Sequence, residues 1–197
     1  MTDPRARLPL RQRLAERLPE ILIEAASVVA ALLLALALNG WNEEREIRAR
    51  ADSARAAILA ELRGNREEIR TAQPKLKEIV QYLSDLIANG APAGHEMHVD
   101  LGISLLSEAA WRAALATQAT QTIDFAWMTR VARVYELQEN YLRVQNAAIE
   151  QLGSIPADSS VGGKQVAASL VPRLSTLSQL ADGLARNYDE LLDARPP

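Results

Sequence analysis

The residues best suited to chemistry lie in one short stretch, "HEMHVD" at 95–100, which holds His95, Glu96, His98 and Asp100. Zinc requires three or four such ligands, held in place by further hydrogen bonds. The two histidines share one side only if the stretch is a helical turn, and the chain has no other histidine and no cysteine. We therefore interpret this stretch as a solvated loop, and we predict no metal and no cofactor.

Other catalytic patterns do not occur in the chain. Ser104, Ser107 and Ser160 lie outside any G-x-S-x-G context, and "VGGK" at 161–164 lacks the spacing of a phosphate-binding loop. The carboxylates are scattered over amphipathic segments, and a net charge of −3 without a long basic block does not favour nucleic-acid binding. The absence of cysteine excludes disulfides and thiol nucleophiles. These features predict a protein that is not an enzyme.

The elements that carry these residues begin with an apolar run that ends in charge, "ALLLALALNGWNEEREI" at 31–47. In the eighteen residues from Ile21 to Leu38, Glu24 is the only charged residue. Eighteen residues make a helix of roughly 27 Å, close to the ~30 Å thickness of a hydrocarbon core. Trp41 follows where an interfacial anchor belongs. The pattern predicts a basic cytoplasmic tail over 1–20 and a transmembrane helix over 21–41.

A cleaved signal peptide is the alternative, with an apolar region at 25–38 and "ALA" at 35–37 as its cleavage motif. The length of the apolar run and the helix-favouring residues beyond Asn42 favour an uncleaved anchor. Five arginines precede the run and four follow it closely, Arg45, Arg48, Arg50 and Arg55. These arginine counts are nearly balanced, but a short N-terminal tail and a large domain after the span favour a cytoplasmic N-terminus and a periplasmic domain on a bacterial inner membrane.

Glu24 lies one turn into the span, where a carboxylate either serves a proton relay or partner, or reaches back to the headgroups. Its shallow depth favours the second reading, with Arg17 or a lipid amine as its partner.

The rest of the chain, 42–197, predicts an all-α domain: a long juxtamembrane helix followed by an antiparallel helical bundle. Apolar residues from Ile47 to Ile69 recur every three or four residues, with Asn65 at one step of this seam. Gln73–Pro74 is expected to end or kink the first helix. Further helices are predicted over Pro74–Ala88 with Asn89–Gly90 as its C-terminal signal, over 103–117, over Asp124–Leu152 with Asp124 as N-cap, and over Lys164–Asp193, with "GSIPADSSVGG" at 153–163 as a flexible connector. Trp111 and Trp127 are predicted to be core anchors. The last helix repeats apolar residues on one face: Val166, Leu170, Leu174, Leu177, Ala181, Leu184, Tyr188 and Leu191.

Small residues at four-residue spacing suit helix association within the span. Ser27, Ala31 and Ala35 lie on one line, and Asn39 extends it. The seam beyond the membrane would continue a coiled coil with a second copy, or would pack inside the chain's own bundle. Because alanine is abundant here, the spacing also arises by chance, so self-association and binding of another envelope protein both remain open.

The junction "ALALNGWNEEREIRARADSARAAILAELRGNREEI" resembles a group of uncharacterised bacterial single-pass membrane proteins whose membrane exit reads like "IALQINNWNEERK". The matching positions are Asn39, Trp41, Asn42, Glu43, Glu44 and Arg45. Gly40 replaces a second asparagine. "WRAALATQATQTIDFAWMTRVARVYELQENY" is similar to a segment of proteobacterial relatives. The resemblance implies an uncleaved anchor with a helical domain behind it, and it implies no activity.

The sequence thus predicts a membrane-anchored interaction or scaffold protein, in contact with the lipid bilayer and with itself or another envelope protein. The alternative is a periplasmic bundle that senses a ligand and signals through the transmembrane helix. With only about twenty residues predicted inside the cell, such a sensor would need a separate cytoplasmic partner.

Overall fold

The protein is helical throughout the part described by our computed structural model, which covers residues 10–90, 102–155 and 163–193, with side chains from Leu22 onward. Those ranges contain four helices and no strand: α1 is Leu10–Asn89, α2 is Ala109–Ala116, α3 is Phe125–Gly153 and α4 is Gly163–Asp193. The expected all-α class is confirmed for these ranges.

The chain divides into two compact units, Met1–Ala49 and Arg50–Pro197. The described part of the first unit is entirely helix α1. Its large apolar side chains from Leu22 to Trp41 are between 55% and 70% exposed. One stretch of α1, near the N-terminus, is long and apolar enough to cross a membrane, and none of it is buried inside the protein.

The second unit has a core made by three helices. Its buried apolar residues come from α1, α3 and α4, together with Ala114 of α2. On α1 they include Ile58, Leu62 and Ile69, with Asn65 buried among them. This part of the predicted seam therefore packs inside its own chain, which decides between the two alternatives for residues 58–69. The predicted apolar face of α4 is confirmed, since all eight positions are buried: Val166, Leu170, Leu174, Leu177, Ala181, Leu184, Tyr188 and Leu191.

Helix α1 does not end at Pro74, so the predicted separate helix over Pro74–Ala88 is wrong. A proline removes one intrahelical hydrogen bond, but the core residues before and after it, Ile69 and Leu76, are both fully buried. Because residues on both sides of Pro74 are buried in the core, the helix continues to Asn89. There Gly90 adopts a φ of +84° and donates its N–H to the carbonyl of Leu86 at 3.0 Å, as the Asn89–Gly90 signal predicts.

Polar contacts show that α4 runs opposite to both of its neighbours. Arg70 pairs with Asp189 at 2.8 Å and Lys77 pairs with Asp182 at 2.9 Å, so numbers rise along α1 as they fall along α4. Against α3, Gln151 donates to the carbonyl of Ser169 at 3.0 Å and Arg173 donates to the carbonyl of Ala147 at 2.9 Å, so numbers again run in opposite directions. The N-cap predicted for α3 is confirmed, because the Asp124 carboxylate accepts a 2.7 Å hydrogen bond from the N–H of Trp127.

The helix predicted over 103–117 is only half present. Residues 102–108 contain no helix, turn or bend, and α2 begins at Ala109. Gly102, at φ +53°, has a conformation that no residue of a right-handed helix adopts. No helix forms here because side chains of α1 and α3 bind the main chain of Ser104 and Ser107.

Candidate functional site

The predicted interface residues of the first unit are all exposed. Trp41 is 64% exposed, and Ser27, Ala31, Ala35 and Asn39 lie along one exposed line of α1. The Ser27 hydroxyl donates to the carbonyl of Glu24 in its own helix at 2.8 Å. That bond satisfies the hydroxyl locally and leaves a small surface for close approach.

The predicted loop "HEMHVD" lies outside the described residues. Within the described ranges, no group of three or more histidine, aspartate or glutamate side chains is placed to hold a metal ion.

The second unit contains a polar assembly that binds the non-helical segment 102–108, which we term the clasped segment. Gln145 of α3 binds the main chain of Ser104 twice, accepting from its N–H at 2.9 Å and donating to its C=O at 3.1 Å. The Ser104 hydroxyl lies 3.1 Å from the Tyr141 hydroxyl. The Gln145 side chain thus pairs with Ser104 as a neighbouring β-strand would.

Ser107 is bound in the same way by Asn65 of α1. Its N–H donates to Asn65 Oδ1 at 2.9 Å, and its C=O accepts from Asn65 Nδ2 at 2.7 Å and from Gln138 Nε2 at 3.0 Å. Gln138 Oε1 in turn accepts from Asn65 at 3.0 Å and from the Tyr188 hydroxyl at 2.7 Å. Each of these buried amides therefore uses both its donor and its acceptor, and these hydrogen bonds offset the free-energy cost of burying them.

Glu61 of α1 caps the short helix α2 from outside. Its carboxylate accepts from the N–H of Ala110 at 2.9 Å and from the Ser107 hydroxyl at 2.7 Å. It also accepts from the Tyr135 hydroxyl at 2.6 Å and from the Trp111 N–H at 3.4 Å. Helix α2 has no side-chain cap of its own at Glu108, so a carboxylate from α1 serves its positive end.

These hydrogen bonds set the protonation states of Glu61 and Tyr135. Partial burial raises the pKa of the Glu61 carboxyl, but the hydrogen bonds from Tyr135, Ala110, Ser107 and Trp111 outweigh burial and lower the net pKa. Burial and the bond to Glu61 both raise the pKa of Tyr135. At neutral pH Glu61 is therefore an anion and Tyr135 a neutral donor.

The two domain tryptophans are anchors of the core, as the helical pattern predicts. Trp127 is buried, with the guanidinium of Arg55 5.0 Å from its ring centre. Trp111 stacks on Tyr135 with ring centres 5.4 Å apart and planes 13° from parallel. Both contacts join α1, α2 and α3 next to the Glu61 bonds.

The opposite side of the clasped segment is open. Ile103 is 53% exposed and Leu105 is 80% exposed. Between this segment and α3 runs a groove of about 470 Å³, whose other wall includes Leu142, Asn146 and Ile149. Among the described residues, no charged side chain lines the groove. A groove lined by neutral side chains is suited to binding rather than to catalysis.

Sequence reasoning missed most of this assembly. Asn65 stands out as the polar residue in the apolar seam, and Gln138 and Gln145 occupy buried positions seven residues apart on α3. Amides at core positions are the signal that could have pointed to them. Glu61 gives no such signal, because nothing local distinguishes it from the solvated carboxylates around it.

Comparison with known proteins adds no relative: no protein-family model, no curated protein and no solved structure matches this chain.

Proposed function

We propose that this protein is a single-pass membrane protein that acts without catalysis, presenting an antiparallel helical bundle for interaction with other molecules of the cell envelope. The observation that carries the proposal is the apolar stretch of α1, where large side chains from Leu22 to Trp41 are more than half exposed. In the second unit, half of the described leucines and valines are buried, and few of the others are exposed. An exposed, unbroken apolar helix of this length has a bilayer as its natural solvent.

Trp41 supports this placement, because an exposed indole directly beyond the apolar stretch suits the membrane–water interface. The charged residues that follow, with the exposed pair Glu44 and Arg48, suit the aqueous side. We place the N-terminus in the cytoplasm and the bundle in the periplasm, because a short tail precedes the span and a large domain follows it.

The absence of catalysis is proposed from the chemistry of the buried polar groups. Glu61, Asn65, Gln138 and Gln145 are each engaged by bonds to other groups of the protein. Groups engaged in this way hold a structure together and have no reacting atom to act upon. The bundle is therefore a rigid body suited to contact.

The partner in the membrane is a second copy or another envelope protein, contacted along Ser27, Ala31, Ala35 and Asn39. The buried seam around Ile58 and Leu62 is already filled by the chain's own α3 and α4 residues. Contact within the span is therefore the geometry that the exposed residues favour.

Membrane extraction and crosslinking test the proposal together. The chain contains no cysteine, so Ala31→Cys introduces a single thiol, and Leu33→Cys is the matched control on another face of the same helix. We expect the protein to stay in the membrane pellet in alkaline carbonate. We also expect oxidation to form a disulfide-linked adduct of Ala31→Cys at least several times more efficiently than of Leu33→Cys.

Release into the carbonate supernatant, or a mature N-terminus near Leu38, would overturn the membrane anchor. Equal crosslinking at both positions would refute contact along the small-residue line. Protease treatment of spheroplasts checks the orientation, and we expect the bundle to be digested in intact spheroplasts.

The sensing alternative remains a prediction. A reproducible, saturable thermal shift of the full-length protein with a small metabolite would favour it over a scaffold.

A further inference from the structure

We infer that the end of the second unit formed by the α2–α3 turn is a lipid-binding surface, whose exposed Phe125 and Leu115 contact the headgroup region of the bilayer that holds the chain's own anchor. We term residues 115–125 the tip; it consists of the end of α2, the turn and the first residue of α3. This inference rests on the proposed membrane anchor and adds a second surface that binds the same membrane.

The tip exposes large apolar side chains. Phe125 is 83% exposed, the largest exposed fraction of any large apolar side chain among the described residues. It exceeds the 55% to 70% of the stretch from Leu22 to Trp41. Leu115, in the last turn of α2, is 47% exposed. Apolar side chains left uncovered to this degree gain free energy on transfer to the boundary between headgroups and acyl chains.

The tip and its surroundings carry almost no charge. Seventeen residues separate Arg112 from Arg130, and Asp124 is the only charged one among them, although a chain with 24% charged residues would place about four in such a stretch. The Asp124 carboxylate serves as the N-cap of α3, accepting from the Trp127 N–H at 2.7 Å. A surface with so little charge enters the headgroup region at a small cost in hydration. Arg130, which is exposed and forms no ion pair among the described residues, is suited to pair with a lipid phosphate.

The turn within the tip satisfies most of its own main-chain donors. Gln118 adopts a φ of +55°, the left-handed conformation that closes the C-terminus of α2. Of the seven residues 117–123, five donate their N–H groups to carbonyls of residues 113–120 at 3.0 to 3.3 Å: Thr117, Gln118, Ala119, Gln121 and Ile123. Main-chain groups that are bonded internally lose little when lipid replaces water around them.

The tip lies at the end of the second unit where the chain enters that unit. Arg55 of α1 lies 5.0 Å from the ring centre of Trp127, and the Tyr135 hydroxyl donates to Glu61 at 2.6 Å. Residue numbers therefore rise together along α1 and α3. Since the tip precedes Trp127 on α3, it lies toward Arg50, the first residue of the second unit.

A short length of chain joins this end to the proposed membrane boundary. Arg50 follows Trp41 by nine residues, which span at most about 32 Å even when fully extended. The tip is therefore tethered close to a bilayer, which gives the lipid surface a high effective concentration for it. This tether favours lipid over a freely diffusing protein as the partner of Phe125 and Leu115.

Lipid quenching of a fluorescent label tests the inference in the full-length protein, reconstituted in vesicles of phosphatidylethanolamine and phosphatidylglycerol. Because the chain has no cysteine, Thr122→Cys places a single polarity-sensitive label on the exposed turn. Ser154→Cys is the matched control, also exposed, at the other end of α3 and roughly 40 Å along that helix. Part of the lipid carries a nitroxide on the acyl chain just below the headgroup. We expect quenching at position 122 to be at least threefold stronger than at position 154.

Substitutions in the labelled Thr122→Cys protein then show whether Phe125 makes the contact. Phe125→Ser should lower the quenching at least twofold, whereas Phe125→Trp keeps an interfacial aromatic ring and should leave it unchanged. Leu105→Ser changes a side chain that is 80% exposed but lies outside the tip, so this matched control should also leave the quenching unchanged. Circular dichroism of each variant checks that the helices are retained.

Equal quenching at positions 122 and 154, or equal quenching before and after Phe125→Ser, would overturn the inference. A blue-shifted label at position 122 that the nitroxide lipid does not quench would also overturn it, because protein, such as a second copy of this chain, would then cover the tip. The carbonate extraction is read separately, so a protein that stays in the membrane with an unquenched tip refutes this inference alone. A protein released by carbonate refutes the proposed function.

Discussion

The substitution Asn65→Asp tests the polar assembly most sharply, because it changes one nitrogen to oxygen with almost no change of shape. Asn65 is only 3% exposed. Its Nδ2 donates at 2.7 Å to the Ser107 carbonyl and at 3.0 Å to Gln138 Oε1. In the aspartate variant an oxygen faces both of these acceptors, so two hydrogen bonds become two repulsive contacts.

The expected cost has two parts. Losing two hydrogen bonds costs roughly 2 kcal/mol at about 1 kcal/mol each. Burying a carboxylate without a counter-charge raises its pKa, and an elevation of about three units corresponds to roughly 4 kcal/mol at neutral pH. We expect the variant to lose about 4 to 6 kcal/mol of unfolding free energy at pH 7, a large share of the ~5–15 kcal/mol of an ordinary domain.

The penalty should depend on pH with a definite sign. A carboxyl whose folded pKa is raised is protonated in the folded state when the unfolded chain, with a pKa near 3.9, has already ionised. The loss relative to the unaltered protein therefore grows by about 1.4 kcal/mol per pH unit above pH ~4, up to the raised folded pKa. Below pH ~4 the neutral carboxyl donates one hydrogen bond in place of two, so a cost of about 1 kcal/mol is left.

Urea titration of the full-length protein in non-ionic detergent, followed by tryptophan fluorescence, measures both quantities. Trp127 is buried in the same core and reports its loss. Asn146→Asp, exposed on α3, is the matched control and should change stability by less than about 0.5 kcal/mol. A loss below about 1 kcal/mol for Asn65→Asp at pH 7, or a loss that is the same at pH 4 and pH 7, would refute the reasoning.

Two further predictions concern the ends of the clasped segment. Glu61→Gln should destabilise by about 2 kcal/mol at pH 7, because it removes a charged acceptor of four donors. Since the pKa of Glu61 is lowered on folding, this contribution is complete above its unfolded value and is lost as pH falls through the folded one. Urea titrations from pH 7 to pH 3 should therefore converge for the two proteins, and parallel curves would contradict this. Gly102→Ala should cost about 1 to 2 kcal/mol at its φ of +53°, where the new Cβ would lie 3.2 Å from Cδ of Lys75. Gly64→Ala, a helical position with open space around its Cβ, should instead stabilise by about 1 kcal/mol, so shifts of the same sign would contradict the reasoning.

Much of the helical framework could be predicted from local patterns. The face of α4 and the N-cap at Asp124 follow from spacing and from one side chain three residues from its partner amide. The predicted separate helix after Pro74 is wrong because the effect of proline was considered locally, without the buried residues Ile69 and Leu76 on either side of it. The predicted start of a helix at residue 103 is wrong for a similar reason. The side chains that bind this main chain instead, Asn65 and Gln145, lie on other helices.

Asn65 shows where sequence reasoning reaches its limit. Its place in an apolar seam marks it as unusual, but its bonds to Ser107 and Gln138 join residues 42 and 73 positions away. Gln145 reaches Ser104 across 41 positions. The hydrophobic periods of a helix (3.6 residues) and a strand (2 residues) contain no information about such distant pairs. The polar assembly could therefore not be derived from them.

The sequence by itself determined the apolar stretch that makes α1 a candidate membrane span and the helical class, because length, hydrophobicity and helical period belong to contiguous residues. Only the tertiary structure decided that residues 102–108 are not helical and that Glu61 caps α2. Hydrogen bonds need donor and acceptor within about 3 Å in a given direction, and folding alone brings distant residues to that distance.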